Sequence, residues 1–176
     1  LIFPIICFIF NFVLLNSSFP SAWIQTLITA IFKNKGSRKS ASFYRPVSLI
    51  NMLCKLFDFI LLSRFKRWFT PSDEQSAYQP NRSCADNIFL IRWLINCAKK
   101  NKEKLFLIAV DFEGAFDKVN RSILFRKLVR FGAGAIYISC LMAIYCRTEY
   151  IIFGNKRSYA TYLTEAGIKQ GSPMSP

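Results

Sequence analysis

The amino-acid sequence predicts an α+β domain, and three observations carry that prediction. Leu105-Phe106-Leu107-Ile108-Ala109-Val110 is a continuous apolar run of strand length. Long segments on its N-terminal side repeat their apolar residues every three or four positions, the period of an amphipathic helix. Tyr150–Phe153 and Ser158–Leu163 flank Gly154-Asn155 in the manner of a hairpin. The chain has 176 residues, 52% of them hydrophobic and 16% aromatic, which is enough for one buried core and too little for two ordinary domains. That composition excludes a disordered or collagen-like chain.

Residues Leu1 to Leu15 read LIFPIICFIFNFVLL. The run is shorter than the roughly 20 residues of a membrane-spanning helix. Pro4 and Asn11 interrupt it, and it has neither a basic n-region nor a clear small-residue cleavage site. A buried core helix is predicted there. A turn cluster, Asn16 to Pro20, leads into a strand between Trp23 and Phe32, rich in β-branched residues. From Lys33 to Arg45 the chain is a loop carrying Lys33, Lys35, Arg38, Lys39 and Arg45 and no acid; such a run is commonly a solvated face, but it can also line a phosphate path.

From Ser48 to Phe69, Leu49, Met52, Leu53, Leu56, Phe57, Ile60, Leu61 and Phe65 predict an amphipathic helix ended by Pro71. A polar loop, Ser72 to Arg82, precedes a second helix from Ser83 to Lys100 with a wide apolar face. The Leu105–Val110 run then reads as a central strand buried on both faces. A helix from about Ser122 to Phe131, a Gly-Ala-Gly break, a helix to about Arg147 and the hairpin complete the order. There is no internal repeat.

Against 10 Asp and Glu stand 24 Lys and Arg, a net charge of +14, so the surface should attract a polyanion and nucleic acid is the leading partner. A basic protein of the membrane surface would carry the same sign. The chain has six cysteines, no Cys-x-x-Cys pair and no histidine. A zinc site is therefore not expected, and Ser-His-Asp or Cys-His chemistry is excluded. Free core thiols in a reducing compartment fit this chain better than a disulfide framework.

Three of the ten acids fall in one window, Asp111-Phe112-Glu113-Gly114-Ala115-Phe116-Asp117, directly after the apolar run. A carboxylate at the end of a buried strand costs several kcal/mol unless it is paired or holds a metal. Ligand sites also gather at strand ends. Local features weigh metal binding equally against a turn cap or a pairing with arginine.

Six blocks spread over nearly the whole chain add to this reading. They are Phe10-Asn11 with Phe19-Pro20-x-x-Trp23; Ile31-Phe32-Lys33 leading to Tyr44-Arg45-Pro46-Val47-Ser48-Leu49; and Lys55-Leu56-Phe57. Then come Gln75-x-x-Tyr78-x-Pro80-Asn81-Arg82-Ser83, Asp111-Phe112-x-x-Ala115-Phe116-Asp117-x-Val119, and Gly167-Ile168-Lys169-Gln170-Gly171-Ser172-x-Met174-Ser175-Pro176. In order and spacing they resemble the reverse transcriptase of non-LTR (LINE-type) retrotransposons.

The resemblance implies the fingers and N-terminal half of the palm of a right-hand polymerase, an antiparallel palm sheet backed by helices. Residues 1–104 would be mainly fingers and N-terminal helices and 105–176 the first part of the palm, in a domain truncated at both ends. The implied activity is RNA-directed DNA synthesis, a two-metal nucleotidyl transfer from a deoxynucleotide triphosphate (dNTP) to a primer 3′-hydroxyl. Mg2+, template RNA and a DNA primer are the implied cofactor and partners. An intracellular, nuclear location is implied, and no stable membrane association.

By the same resemblance Asp111 is the first palm aspartate and a metal ligand, with the Phe112 carbonyl as a further ligand. Lys33 and Arg45 would grip the triphosphate. Phe112, Ala115 and Phe116 would lie under the incoming nucleotide, with the Phe116 ring excluding a 2′-hydroxyl, and Gln170 and Gly171 would approach it. Core packing remains open for Phe116, and template or solvent contact for Lys33. Arg82 and Ser83 either contact the nucleic-acid backbone or stabilise a loop. Glu113 and Asp117 match no ligand role.

The sequence departs from the family's pattern at Ala30, where a proline is common, and at Ala77-Tyr78-Gln79, which replaces a usual Gly-Phe-Arg. The Tyr-x-Asp-Asp motif that supplies the remaining palm aspartates is absent, so the chain alone is expected to be inactive. The rival reading is a noncatalytic nucleic-acid-binding remnant of a decayed or domesticated element. A membrane-associated helical protein would rest on the first fifteen residues alone.

Overall fold

A computed structural model describes residues 2–154 and 157–175. The chain forms two compact units, Leu1–Phe69 with Gly114–Pro176, and Thr70–Glu113. The larger unit holds α1 (Ile2–Asn16), α2 (Ser21–Ile24), β1 (Gln25–Phe32), a single 3-10 turn (Ala41–Phe43), β2 (Tyr44–Leu49) and α3 (Met52–Phe65). After the smaller unit it resumes with α5 (Arg121–Arg130), α6 (Ala135–Cys146), β3 (Glu149–Gly154) and β4 (Arg157–Leu163). The smaller unit holds α4 (Cys84–Asn101). The α+β class follows directly.

The four-stranded sheet has the order β2-β1-β3-β4. β1 pairs antiparallel with β2, and β3 with β4, but β1 and β3 run parallel. The expected wholly antiparallel sheet is therefore corrected to a mixed one. Parallel neighbours need a long connection rather than a hairpin, and here more than one helix separates β1 from β3 in the chain. The β3–β4 hairpin forms as expected, although Asn155 of its turn lies outside the described residues. On β1, Thr26 and Ile28 are buried while Gln25, Leu27 and Thr29 are exposed, the alternation of a sheet covered on one face.

The helical core is aromatic. Phe57 packs against Phe10 at 5.3 Å, Trp23 at 5.8 Å and Phe19 at 5.9 Å between ring centroids. Phe57 and Leu61 are all but inaccessible, and burial of each such side chain contributes about 1.5–3 kcal/mol. The expected core helix at the N-terminus forms as α1, yet only Phe10 and Val13 of it are buried. Pro4 is no obstacle, because it lies in the first turn, where no intrahelical N–H bond is lost.

The helix expected from Ser48 begins later. Asn51 caps α3, its side chain accepting from Leu53 N at 2.9 Å, and the preceding residues are in β2. The basic loop correspondingly ends before Arg45, which is a strand residue. Asn120 caps α5 in the same way, accepting from Ile123 N at 3.0 Å. Gly132, at φ +96°, breaks the chain between α5 and α6.

In the smaller unit, α4 forms close to its expected bounds, but none of its residues is buried. The expected central strand does not form. Leu105–Val110 joins no ladder among the described residues, and Phe106 and Ile108 are 84% and 86% exposed. A strand exists only through hydrogen bonds to a neighbour, and this unit offers none. The cysteines are all free, with Cys54 and Cys140 buried and Cys7, Cys84 and Cys146 exposed, so the expectation of core thiols holds for only part of the set. No helix among the described residues is long and apolar enough to cross a membrane.

Candidate active site

The predicted site residues divide between the two units. In the smaller unit Asp111 is exposed, and Phe112 is 77% exposed. Ser83 begins α4, where the Asp86 carboxylate accepts from Ser83 N at 2.7 Å and from the Ser83 hydroxyl at 3.2 Å. This arrangement ties down the first turn of the helix. Arg82 is exposed, with its backbone N donating to Gln79 O at 3.4 Å.

In the larger unit, Lys33 folds back on its own loop, with Nζ donating to Ser42 O at 2.9 Å and its backbone N to Phe43 O at 2.8 Å. Gly36 lies over the Phe43 ring at φ +76°, so close that a Cβ there would stand 2.3 Å from it. Arg45 faces Ile31 on the neighbouring strand and is exposed. Being three residues from Ser48, it projects from the opposite face of the sheet.

The segments that do come together are the turn carrying Phe116 and the one carrying Gln170 and Gly171. Ile168 N donates to Phe116 O at 2.9 Å and Gly167 N to Val119 O at 2.8 Å, so the Gly167–Gly171 block lies against the turn that carries Phe116. On its other side, Ser48 N donates to Gln170 O at 2.9 Å. A Cβ at Gly171, which has φ +126°, would stand 2.8 Å from Ser48 O, so only glycine fits this approach. Phe116 is half-buried, whereas Ala115 is exposed. A cavity of about 200 Å³ opens beside Gln170, lined also by Ser48, Asp117, Thr164 and the stacked pair Tyr150 and Tyr162, whose centroids are 5.6 Å apart.

Beneath this block lie buried polar groups. Arg121 is 6% exposed, and its guanidinium donates to Gly167 O at 2.8 Å, Tyr145 O at 3.0 Å, Ala166 O at 3.0 Å, Thr164 Oγ1 at 2.6 Å and Thr164 O. Asp58 on α3 accepts from the Ser172 hydroxyl at 2.6 Å. Burial pushes the Asp58 carboxyl up from the usual range, against the pull of the Ser172 hydrogen bond and the Lys169 charge. Burial likewise pushes the Lys169 ammonium down, while Cys54 and Asp58 draw it back up.

As a metal site, Asp111 and the Phe112 carbonyl offer the hard oxygen donors that Mg2+ takes. The donor set is incomplete. Among the described residues no group of three His, Cys, Asp or Glu could hold a metal ion.

The family model described as Reverse transcriptase (RNA-dependent DNA polymerase) matches residues 31–176. The chain belongs to this family. It is 28% identical over 150 residues to a transposon TX1 uncharacterized 149 kDa protein of Xenopus laevis, covering 84% of this chain and 12% of that protein. The retrovirus-related Pol polyprotein from type-2 retrotransposable element R2DM of Drosophila melanogaster is 23% identical over 168 residues, 96% of this chain and 16% of its own length. The probable RNA-directed DNA polymerase from transposon BS of the same organism is 25% identical over 173 residues, 96% and 19%. The chain thus spans less than a quarter of each of these relatives. The resemblance to non-LTR retrotransposon reverse transcriptases drawn from the six sequence blocks is borne out.

In this reverse transcriptase domain, sequence reasoning passed over Arg121, Asp58 and the buried position of Lys169. Two signals were present. Asp58 lies four residues after Cys54 and three before Leu61, on the stripe α3 buries. Arg121 is a cation in the first turn of α5, where the helix dipole disfavours one unless tertiary contacts hold it. Nothing local marked Lys169.

Proposed function

We propose that this domain is the fingers and first half of the palm of an RNA-directed DNA polymerase that extends a primer 3′-hydroxyl with deoxynucleotides on an RNA template. The observation that carries the reading is the docking of Gly167–Gly171 against the Phe116 turn on one side and β2 on the other. Two of the six family blocks are packed onto a third, and Gly171 has the close approach that only glycine permits. The net charge of +14 suits a nucleic-acid duplex.

In this reading Asp111 and the Phe112 carbonyl are the donors this chain supplies to a two-metal site, and bound magnesium would lower the pKa of the primer hydroxyl and neutralise the triphosphate. Lys33 and Arg45 bind phosphate oxygens, Phe116 floors the sugar, and Gln170 with Gly171 approaches the nucleotide. The exposed Leu105–Val110 run is the palm strand, awaiting neighbours from the rest of a longer polypeptide. With one carboxylate of the set, the chain alone has no synthetic activity.

In the full polypeptide, Asp111→Ala should abolish primer extension and leave RNA affinity within about twofold, since one exposed acid adds nothing to phosphate binding. Retained synthesis overturns the assignment of Asp111. The excess of 24 Lys and Arg over 10 Asp and Glu suits equally a second reading, a noncatalytic nucleic-acid-binding remnant. Under that reading RNA binding would weaken steeply with salt, and the complete polypeptide would make no DNA.

A further inference from the structure

The strongest feature that the polymerase reading leaves unused is the buried charge on either side of Gln170 and Gly171. Upstream, the Arg121 guanidinium binds Thr164, Ala166 and Gly167 as well as Tyr145, and no carboxylate accepts from it among the described residues. Isolating a cation from water costs several kcal/mol unless its donors are satisfied. Here five contacts from one planar fork fix the carbonyls of Thr164, Ala166 and Gly167 in one geometry, which a lysine's point charge would not do. Downstream, Ser172 Oγ donates to Asp58 Oδ2 at 2.6 Å and accepts from Met174 N at 3.1 Å. Ser175 Oγ donates to Lys169 O at 2.6 Å.

The segment between these anchors has little freedom. Gln170 O takes the Ser48 N–H, and Gly171 is pressed against Ser48 O. We propose that Arg121 and Asp58 are positioning residues that hold Gln170 and Gly171 in register with β2 from either side, and so set the affinity for the incoming nucleotide. The inference rests on the polymerase reading above. Neither residue is assigned any contact with the nucleotide; each acts through the backbone it holds.

The test uses the full polypeptide on a primed RNA template and separates the competent enzyme fraction, read as burst amplitude, from the KM for dNTP. Arg121→Lys keeps the charge and loses the fork, and should raise KM about tenfold with burst amplitude and template–primer affinity unchanged, the scale of effect expected from a misplaced binding element. Asp58→Ala should raise KM about threefold, and Asp58→Asn, which still accepts from Ser172, should restore it.

A purely structural role predicts the opposite pattern, a smaller burst with an unchanged KM in the surviving enzyme, and that result overturns the proposal. Should Arg121→Lys fail to fold, Thr164→Val removes a single acceptor of the fork and is expected to raise KM in the same direction. A wild-type polypeptide that makes no DNA would overturn the polymerase reading and this proposal with it. That failure is distinguishable from an unchanged KM in an active enzyme.

Discussion

The two compact units differ in what they bury, although both leave some large apolar side chains exposed. The larger unit buries Asp58, Arg121, Lys169 and Ser172 beneath a tightly turned backbone segment. The smaller unit leaves Phe89, Trp93, Phe106, Ile108 and Val110 exposed. In the first, polar groups are buried because hydrogen bonds replace those to water. In the second, apolar groups are exposed because a single helix and an extended run have too little local surface to cover one another.

The comparison is most directly broken by paired truncations. Leu61→Ala, in the core of the larger unit, should cost about 2–5 kcal/mol in urea unfolding of this chain. Ile108→Ala, at a side chain 86% exposed, should stay within about 0.5 kcal/mol. In the full polypeptide the Ile108 substitution should become costly if further strands cover the run. Equal costs at the two positions in this chain would erase the contrast between the units.

Gly171→Ala should come next in size. A Cβ there meets backbone, not a movable side chain, and φ is +126°. A cost of about 1–3 kcal/mol is expected, with weakened nucleotide affinity in the full enzyme. An unaffected variant would show that the Gly171–Ser48 approach can relax.

The thiols offer a gentler test. Burial is the leading cause that pushes Cys54 up to about 11 and Cys140 to about 12. At pH 8 the thiolate fraction of Cys54 is then about one in a thousand. Iodoacetamide should therefore modify exposed Cys7, Cys84 and Cys146 well before Cys54 and Cys140. Because both folded values lie above the ordinary 9.0, the folded state holds protons that the unfolded chain has released. Their contribution is whole below pH 9 and is lost as pH rises through about 11 and about 12. A melting temperature that stays flat across that window would argue against a closed core.

How much of this was legible in the sequence depended on whether a feature is local. Helices α3 to α6 were readable because the period of their apolar residues is a local property, and Asn51 and Asn120 account for the starts of α3 and α5. β2 was hidden because Arg45, Pro46 and Ser48 break any apolar alternation, and its pairing with β1 is set by residues across the loop. Leu105–Val110 misled for the complementary reason: its composition is that of a buried strand, but a ladder needs a partner the run does not itself encode. Of the site, two of the six blocks prove to be neighbours, the Gly167–Gly171 segment lying against the turn that carries Phe116, while the roles of these residues rest on the resemblance. The clamp by Arg121 joins residues more than forty positions apart, and only its awkward place at a helix start hinted at it.

The smallest expected effect separates two readings that the sequence left level at Arg82-Ser83. Ser83 donates to the Asp86 carboxylate by both its backbone N and its hydroxyl. If the residue serves the helix, Ser83→Ala should cost about 0.5–1 kcal/mol of stability, the low range for a cap whose backbone bond survives. RNA affinity would be unchanged. If it serves the nucleic acid, affinity falls and stability holds. Among the described residues no side-chain hydrogen bond holds Arg82 as Asp86 holds Ser83, so Arg82→Ala should weaken RNA binding and reduce its salt dependence by about one phosphate contact. The two neighbours are thus expected to respond oppositely, the serine in unfolding and the arginine in binding. A shared response in either assay would mean that cap and contact are one structure, with α4 ordered by the strand it binds.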